Sequence, residues 1–296
     1  MSKKFTGTGV AVITPFHKDG SIDFASFSLV IEHLITNNIG YIVTMGTTGE
    51  AVVLNKDERN AILNFVVEVV DKRVPVVVGA GGNNTLEVLN TITSYAYEDV
   101  NAILSVTPFY NKPHQKGLLQ HYKMIASHAP VPVILYNVPD RTGVNMEAET
   151  TLELGHTYKN IIGIKEASKR FVQCNRIIKD RPEGFLVISG DDITTIPMIA
   201  LGGDGAISVT ANAFPREFSD MVSYALKGNF KSARHIQHRL TDFMCSIFID
   251  GNPAGIKAAM DILKLSQNYL RLPSVPVTRS TYNIIKNAIE SILVAV

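Results

Sequence analysis

Cysteine is scarce: Cys174 and Cys245 are the only two in 296 residues, too few and too isolated for a disulfide framework. A reducing compartment, the cytoplasm, fits that composition. Neither sign of charge dominates, because 28 Lys and Arg face 27 Asp and Glu for a net charge of +1. This excludes a basic stripe that recruits nucleic acid by counterion release, and equally a solvated acidic tail. No apolar run approaches the roughly 18–20 residues that span a bilayer. The charged start, Met-Ser-Lys-Lys-Phe-Thr-Gly, leads into no apolar stretch with a cleavage site, so no signal peptide is evident. With 46% hydrophobic and 19% charged residues, the chain has material for one large core, or for a barrel with an appendage. The expected partner is a small molecule, with no nucleic acid and no membrane.

Short apolar runs alternate with longer amphipathic stretches, the pattern of βα units around a parallel sheet. Strand-like runs are Val10-Ala-Val-Ile13, Tyr41-Ile-Val-Thr44, Pro75-Val-Val-Val78, Ala102-Ile-Leu-Ser105, Val131-Pro-Val-Ile-Leu135, Ile161-Ile-Gly-Ile164, Phe185-Leu-Val-Ile188 and Gly205-Ala-Ile-Ser-Val209. Asp23 is placed to cap a helix with apolar repeats from Phe24 to Leu34, Lys56 to Val70 reads as a second helix, and Asn84 or Thr85 caps a third. Further helices fall near 115–127, 146–157, 168–179 and 192–201. Buried parallel strands read as continuous apolar runs, as these do. Eight such units fit a (β/α)₈ barrel, typically about 250 residues, better than an open sheet. A doubly wound sheet is the alternative, since strand count alone does not prove closure. After about residue 213 the strand signals stop, and helices are expected at 216–227, 231–247, 253–264 and 279–293. The first completes the eighth unit. The division is a catalytic barrel over 1–227 and an added C-terminal helical segment over 228–296.

In such a barrel the chemistry belongs at the C-terminal ends of the strands. Unusual residues gather there: Gly46-Thr47-Thr48-Gly49-Glu50, Thr107-Pro-Phe-Tyr-Asn111, Tyr136-Asn-Val-Pro-Asp-Arg-Thr-Gly143, Lys165-Glu166-Ala-Ser168 and Ser189-Gly-Asp-Asp192. Lys165 ends an apolar strand, where desolvation favours the neutral amine that attacks a carbonyl. The competing reading is a lysine paired with a nearby acid such as Glu166. If odd positions face inward, Gly163 lies below Lys165 and leaves room for a substrate. Tyr136 ends the adjacent strand and suits a proton shuttle, or else an aromatic plug of the barrel. Glycines beside Thr47 and Thr48 permit close approach of a ligand, and Arg141 suits bidentate capture of a carboxylate. His114, His121 and His128 recur every seven residues and read as one solvated helix face rather than metal ligands. Asp191 and Asp192 suit a helix N-terminus as readily as a cation. Gly79-Ala-Gly-Gly-Asn-Asn84 completes neither a dinucleotide fingerprint nor a phosphate loop with lysine. No cofactor and no metal are expected.

Taken together, Gly-Thr-Thr-Gly-Glu at 46–50, Tyr-Asn-Val-Pro and Arg-Thr-Gly within 136–143, Gly-Ile-Lys-Glu-Ala at 163–167, Ser189-Gly-Asp-Asp192 and the run 205–212 resemble the dihydrodipicolinate synthase family, essentially end to end. The resemblance implies condensation of pyruvate with aspartate semialdehyde towards diaminopimelate and lysine. It assigns Lys165 as the Schiff-base lysine and Tyr136 as the proton shuttle, with Thr47 linking Tyr136 to a Tyr110 from a neighbouring subunit. Thr48 would hold the pyruvate carboxylate and Arg141 that of the semialdehyde, while backbone around Gly190 and Ile207 would line the pocket. A dimer is then the minimum active unit, and a homotetramer built as a dimer of dimers is the expected state.

Relatives inhibited by lysine would use positions matching Ala51, Lys56, Arg59, Asn83, Glu87 and Phe109. Lysine-sensitive members carry Tyr in place of Phe109 and a neutral or acidic residue in place of Lys56, so inhibition should be weak or absent. The nearest rivals are N-acetylneuraminate lyase or a keto-deoxy sugar acid aldolase on the same scaffold, against which Thr47 with Arg141 argues. A barrel that has lost catalysis and serves as a sensor or scaffold is the rival of another class.

Overall fold

The structure, a computed structural model, describes residues 2–294. Eight strands, β1 (Gly7–Ala11), β2 (Tyr41–Thr44), β3 (Val76–Ala80), β4 (Val100–Val106), β5 (Val133–Asn137), β6 (Ile161–Glu166), β7 (Leu186–Ser189) and β8 (Gly205–Ser208), form a closed parallel barrel in sequence order. Closure is made where β1 pairs β8, Gly7 opposite Gly205 and Val10 opposite Ser208, which removes the open-sheet alternative. A Cβ on Gly205, whose φ is +142°, would lie 2.0 Å from the Gly7 carbonyl oxygen. Only glycine permits that approach. This long-range pairing also moves the first strand from the expected 10–13 back to 7–11, since Gly7 and Thr8 carry no apolar signal of their own.

Around the barrel run α1 (Phe24–Thr36), α2 (Lys56–Val70), α3 (Thr85–Ser94), α4 (Gln115–His128), the single turn α5 (Pro139–Thr142), α6 (Ala148–Thr157), α7 (Phe171–Asp180), α8 (Thr195–Ala200) and α9 (Pro215–Leu226). Side-chain caps set several of their starts. Asp23 accepts from the Ser26 amide, Asn84 rather than Thr85 caps α3, and Asn55 with Glu58 forms a capping box on α2. Then follow α10 (Phe230–Ser246), α11 (Ala254–Ile262) and α12 (Arg279–Val294). α10 packs on α9 and α12, and α11 packs on α12 and on the 3₁₀ turn Thr210–Asn212 after β8.

Two apolar regions result. One lies between the strands and the helices; the other fills the barrel with Tyr41, Val77, Ile134, Ile188 and Ile207. At the N-terminal end the 3₁₀ turn Ser2–Phe5 closes the barrel, its Phe5 ring edge-on to Tyr41 at 5.5 Å. The histidine expectation fails at its middle member. His114 and His128 are exposed, but His121 is buried, shares a 2.9 Å hydrogen bond with Thr85 Oγ1, and burial pushes its pKa down to about 4. α3 packs over this part of α4, so the seven-residue spacing does not mark a solvated face. No helix among the described residues is long and apolar enough to cross a membrane.

Candidate active site

At the C-terminal end of the barrel a cavity of about 560 Å³ opens over Lys165, Tyr136, Thr48 and Arg141. Lys165, near the end of β6, is only 5% exposed. It stands in register with Tyr136 on β5 and Ile188 on β7, its Nζ 4.3 Å from the centre of the Tyr136 ring. It makes no ion pair among the described residues. Alternation along β6 explains this: Glu166 is sent to the other face. There its carboxylate accepts from Asn137 Nδ2, the Ser168 amide and Gln173 Nε2 at 2.7–3.1 Å. Burial raises the Glu166 pKa, and those donors pull against the rise.

The space around the lysine comes from a different glycine than expected. A Cβ on Gly163 would lie 2.7 Å from the Leu186 backbone oxygen and 2.8 Å from its Cβ, so Leu186 of β7 occupies the room that was expected for substrate. Gly190 frees Lys165 instead, since a Cβ there would meet Lys165 Cγ and Cε at 3.1 Å. Gly190 lines the cavity, whereas Ile207 lies in the barrel interior and Val209, two residues on, contributes to the wall. Asp192 is buried and accepts from the amides of Val209 and Thr210 at 3.2 and 2.7 Å, tying the β7 loop to the end of β8. Burial raises its pKa, with the Thr210 amide first among the opposing causes. Neighbouring Asp191 pairs with Lys169 at 3.4 Å on the rim.

Thr48 is buried, while Thr47 is exposed between this cavity and a second one of about 260 Å³. Thr47, Tyr136 and Arg141 line both, and Ala51, Arg59 and Phe109 line the second. Tyr110 is 87% exposed on a left-handed backbone (φ 72°) and lines neither. Lys56 lines a third hollow with Arg59 and Tyr95. Asn83 accepts from Asn111 Nδ2 through its carbonyl, and Glu87 is in the first turn of α3. Arg141 lies in α5, begun by Pro139 and ended by Gly143 at φ +72°. Four cavity residues have no precedent in the strand-end pattern, Met244, Cys245, Phe248 and Asn252, and of these Asn252 donates to Thr48 Oγ1 at 3.0 Å. Its only local signal is an Asn-Pro pair before a helix, which marks a boundary and not a site.

The closed parallel barrel with this mouth is a (β/α)₈ enzyme of the lyase class. The chain belongs to the dihydrodipicolinate synthetase family, whose model matches residues 4–292. It is 46% identical over 286 residues to 4-hydroxy-tetrahydrodipicolinate synthase of Parabacteroides distasonis, covering 97% of this chain and 96% of that one. Among solved structures it resembles dihydrodipicolinate synthase from Thermotoga maritima, with a TM-score of 0.95 and 36% identity over 97% of this chain and 98% of that one. It also resembles the family member from Cyanidioschyzon merolae solved with lysine bound, with a TM-score of 0.94 and 34% identity over 98% of both chains.

Proposed function

We propose that this protein condenses pyruvate, held as a Schiff base on Lys165, with L-aspartate 4-semialdehyde. The reaction is that of 4-hydroxy-tetrahydrodipicolinate synthase, a step of diaminopimelate and lysine biosynthesis. The observation that carries the chemical reading is a buried lysine without an acid, over a tyrosine ring, in a cavity that also holds Arg141. The Lys165 amine attacks the pyruvate carbonyl, and loss of water gives the imine. Tyr136 carries protons to and from the departing oxygen. Loss of a methyl proton from the imine gives an enamine, whose carbon attacks the aldehyde. Thr48 takes the pyruvate carboxylate and Arg141 that of the semialdehyde, with backbone at Gly190 and near Ile207 around the lysine.

Thr47 and Tyr110 of the partner subunit extend the proton path from Tyr136. This reading is supported by the exposure of Tyr110 outside its own cavities and by the second cavity beside Thr47 and Tyr136. Val52 and Leu86, exposed apolar residues, would be covered by the same association. The assembly is a homotetramer built as a dimer of dimers, with 1–227 the catalytic barrel and 228–296 the added helical segment. A cytoplasmic site agrees with two free cysteines.

The test follows pyruvate consumption by the purified protein with aspartate semialdehyde in one tube and N-acetylmannosamine in another. Borohydride trapping then locates the adduct. Consumption with the semialdehyde and a pyruvate adduct on Lys165 is the expected result. Consumption with the sugar alone would move the protein to the sialic-acid branch; no adduct would remove the Schiff base.

A further inference from the structure

The C-terminal segment reaches the cavity. Asn252, between α10 and α11, donates from Nδ2 to Thr48 Oγ1 at 3.0 Å. Its backbone carbonyl accepts from the Arg141 guanidinium at 3.4 Å. One residue therefore touches both groups assigned to substrate carboxylates. A threonine hydroxyl has one proton and two lone pairs. With a lone pair taken by the Asn252 amide, the proton is left to give to an anion. Were the amide reversed, Thr48 would spend its proton on Asn252 and present only lone pairs to a carboxylate.

Asn252 leads into α11, and α11 is tied to the same turn as Thr48. Lys257, on α11, is fully buried, with Nζ 2.5 Å from Glu50 Oε1, 2.8 Å from the Tyr269 carbonyl and 4.1 Å from the centre of the Phe16 ring. Glu50 closes the turn that contains Thr48, in a left-handed conformation (φ 53°) uncommon for a residue with a side chain. Its Oε2 accepts from the Arg271 amide at 3.3 Å, and the Arg271 guanidinium donates to Glu58, Gly20 and Val53. The Thr48 turn and α11 are thus joined twice, by a buried ion pair and through Asn252. Buried ion pairs gain little over apolar packing of equal volume, so stability is a poor explanation for this one.

We propose that Asn252 is a positioning residue for the keto-acid carboxylate. It turns the Thr48 proton towards the bound acid, and the Glu50–Lys257 pair keeps Asn252 and Thr48 in register. The inference rests on the assignment of Thr48 to the pyruvate carboxylate above.

The experiment is a double-mutant cycle: pyruvate KM and kcat for wild type, Asn252→Ala, Thr48→Val and the double variant, with urea unfolding and borohydride trapping on each. Asn252→Ala should raise the pyruvate KM about tenfold, the scale of a hydrogen bond to a charged group, with a smaller change in kcat. In the Thr48→Val background the same substitution should change KM by less than about twofold, because no hydroxyl remains to be oriented. Asn252→Asp should raise KM further, since its carboxylate takes the Thr48 proton and faces the substrate's charge. Additive effects of the two substitutions, or a KM unmoved by both Asn252 variants, would overturn the proposal. If Asn252→Ala does not fold, Asn252→Ser replaces it in the cycle. Absence of a wild-type pyruvate adduct overturns the proposed function as well; an adduct with unmoved KM overturns this inference alone.

Discussion

Two lysines, Lys165 and Lys257, are buried among the described residues, and their surroundings are opposite. Lys257 is given an acid: Glu50 at 2.5 Å, a backbone carbonyl and the face of Phe16. Burial pushes its pKa down to about 8, with Glu50 pulling the other way. Lys165 is given none, and its nearest aromatic is the ring of Tyr136. Lys257 is thus held as half of a buried pair, whereas no acid holds Lys165 away from a carbonyl that enters the cavity. Substitution separates the two. Lys165→Met should abolish the trapped pyruvate adduct and lower kcat by at least about 10³-fold in a protein that unfolds at wild-type urea concentration or above. Lys257→Met should still trap saturating pyruvate but lose about 3–5 kcal/mol of stability, because Glu50 is left buried and unpaired. A trapped adduct in Lys165→Met would end the distinction.

The two ends of the barrel interior make the same point with tyrosine. Tyr41 closes the bottom at 0% exposure, edge-on to Phe5, its hydroxyl without a partner and its pKa raised by burial. Tyr136 belongs to the same apolar interior but ends at the mouth, beside the lysine and the cavity. The plug that Tyr136 resembled in sequence is Tyr41. Tyr136→Phe should lower kcat by about 10²–10⁴, the range of a lost proton-transfer group, and leave stability nearly unchanged. Tyr41→Phe should leave kcat unchanged and be neutral or gain up to about 1 kcal/mol, since it removes a buried unpaired hydroxyl. Equal kinetic losses in the two variants would show that packing and not proton transfer is being measured.

These pairs also show what a sequence can and cannot carry. Strand ends were legible because burial on both faces makes each parallel strand a continuous apolar run and the polar residues after it stand out, as at Lys165, Tyr136 and Thr48. Short-range rules also gave the Asp23 cap and the bounds of α2. Contacts between distant segments were not legible. The β1–β8 pairing shifted the first strand, and Leu186 took the space above Gly163 while Gly190 made room for the lysine. The packing of α3 on α4 buried His121. Asn252 lies 204 positions from the Thr48 it touches, and no local periodicity reports such a contact.

Arg141 tests the second carboxylate at the mouth. Among the described residues its guanidinium has only the 3.4 Å hydrogen bond to the Asn252 carbonyl, in a turn fixed by Pro139 and Gly143, so it is positioned with donors to spare. Arg141→Ala should raise the KM for aspartate semialdehyde by about 10–100-fold, with the pyruvate adduct still trapped. Lysine in its place keeps the charge but not the fork, and should recover only part of that loss. An unchanged semialdehyde KM would assign the carboxylate to another group.

The smallest effect concerns regulation, where the comparison is between neighbouring hollows rather than neighbouring residues. Ala51, Arg59 and Phe109 line the second cavity, whereas Lys56 lines the adjoining hollow, which shares Arg59, Thr91 and Tyr95 with it. A lysine effector would bring its own ammonium towards the side chains of Lys56 and Arg59, and would find no hydroxyl on Phe109. Two like charges about 4 Å apart in water repel by about 1 kcal/mol, which is about fivefold in affinity. Wild type should therefore not reach half-inhibition at sub-millimolar lysine. Lys56→Ala should sensitise it about fivefold and Phe109→Tyr by less. Because the two residues lie in different hollows, their effects should add; strong coupling between them would mean that the effector bridges both cavities, and half-inhibition of wild type below a millimolar would remove the charge argument.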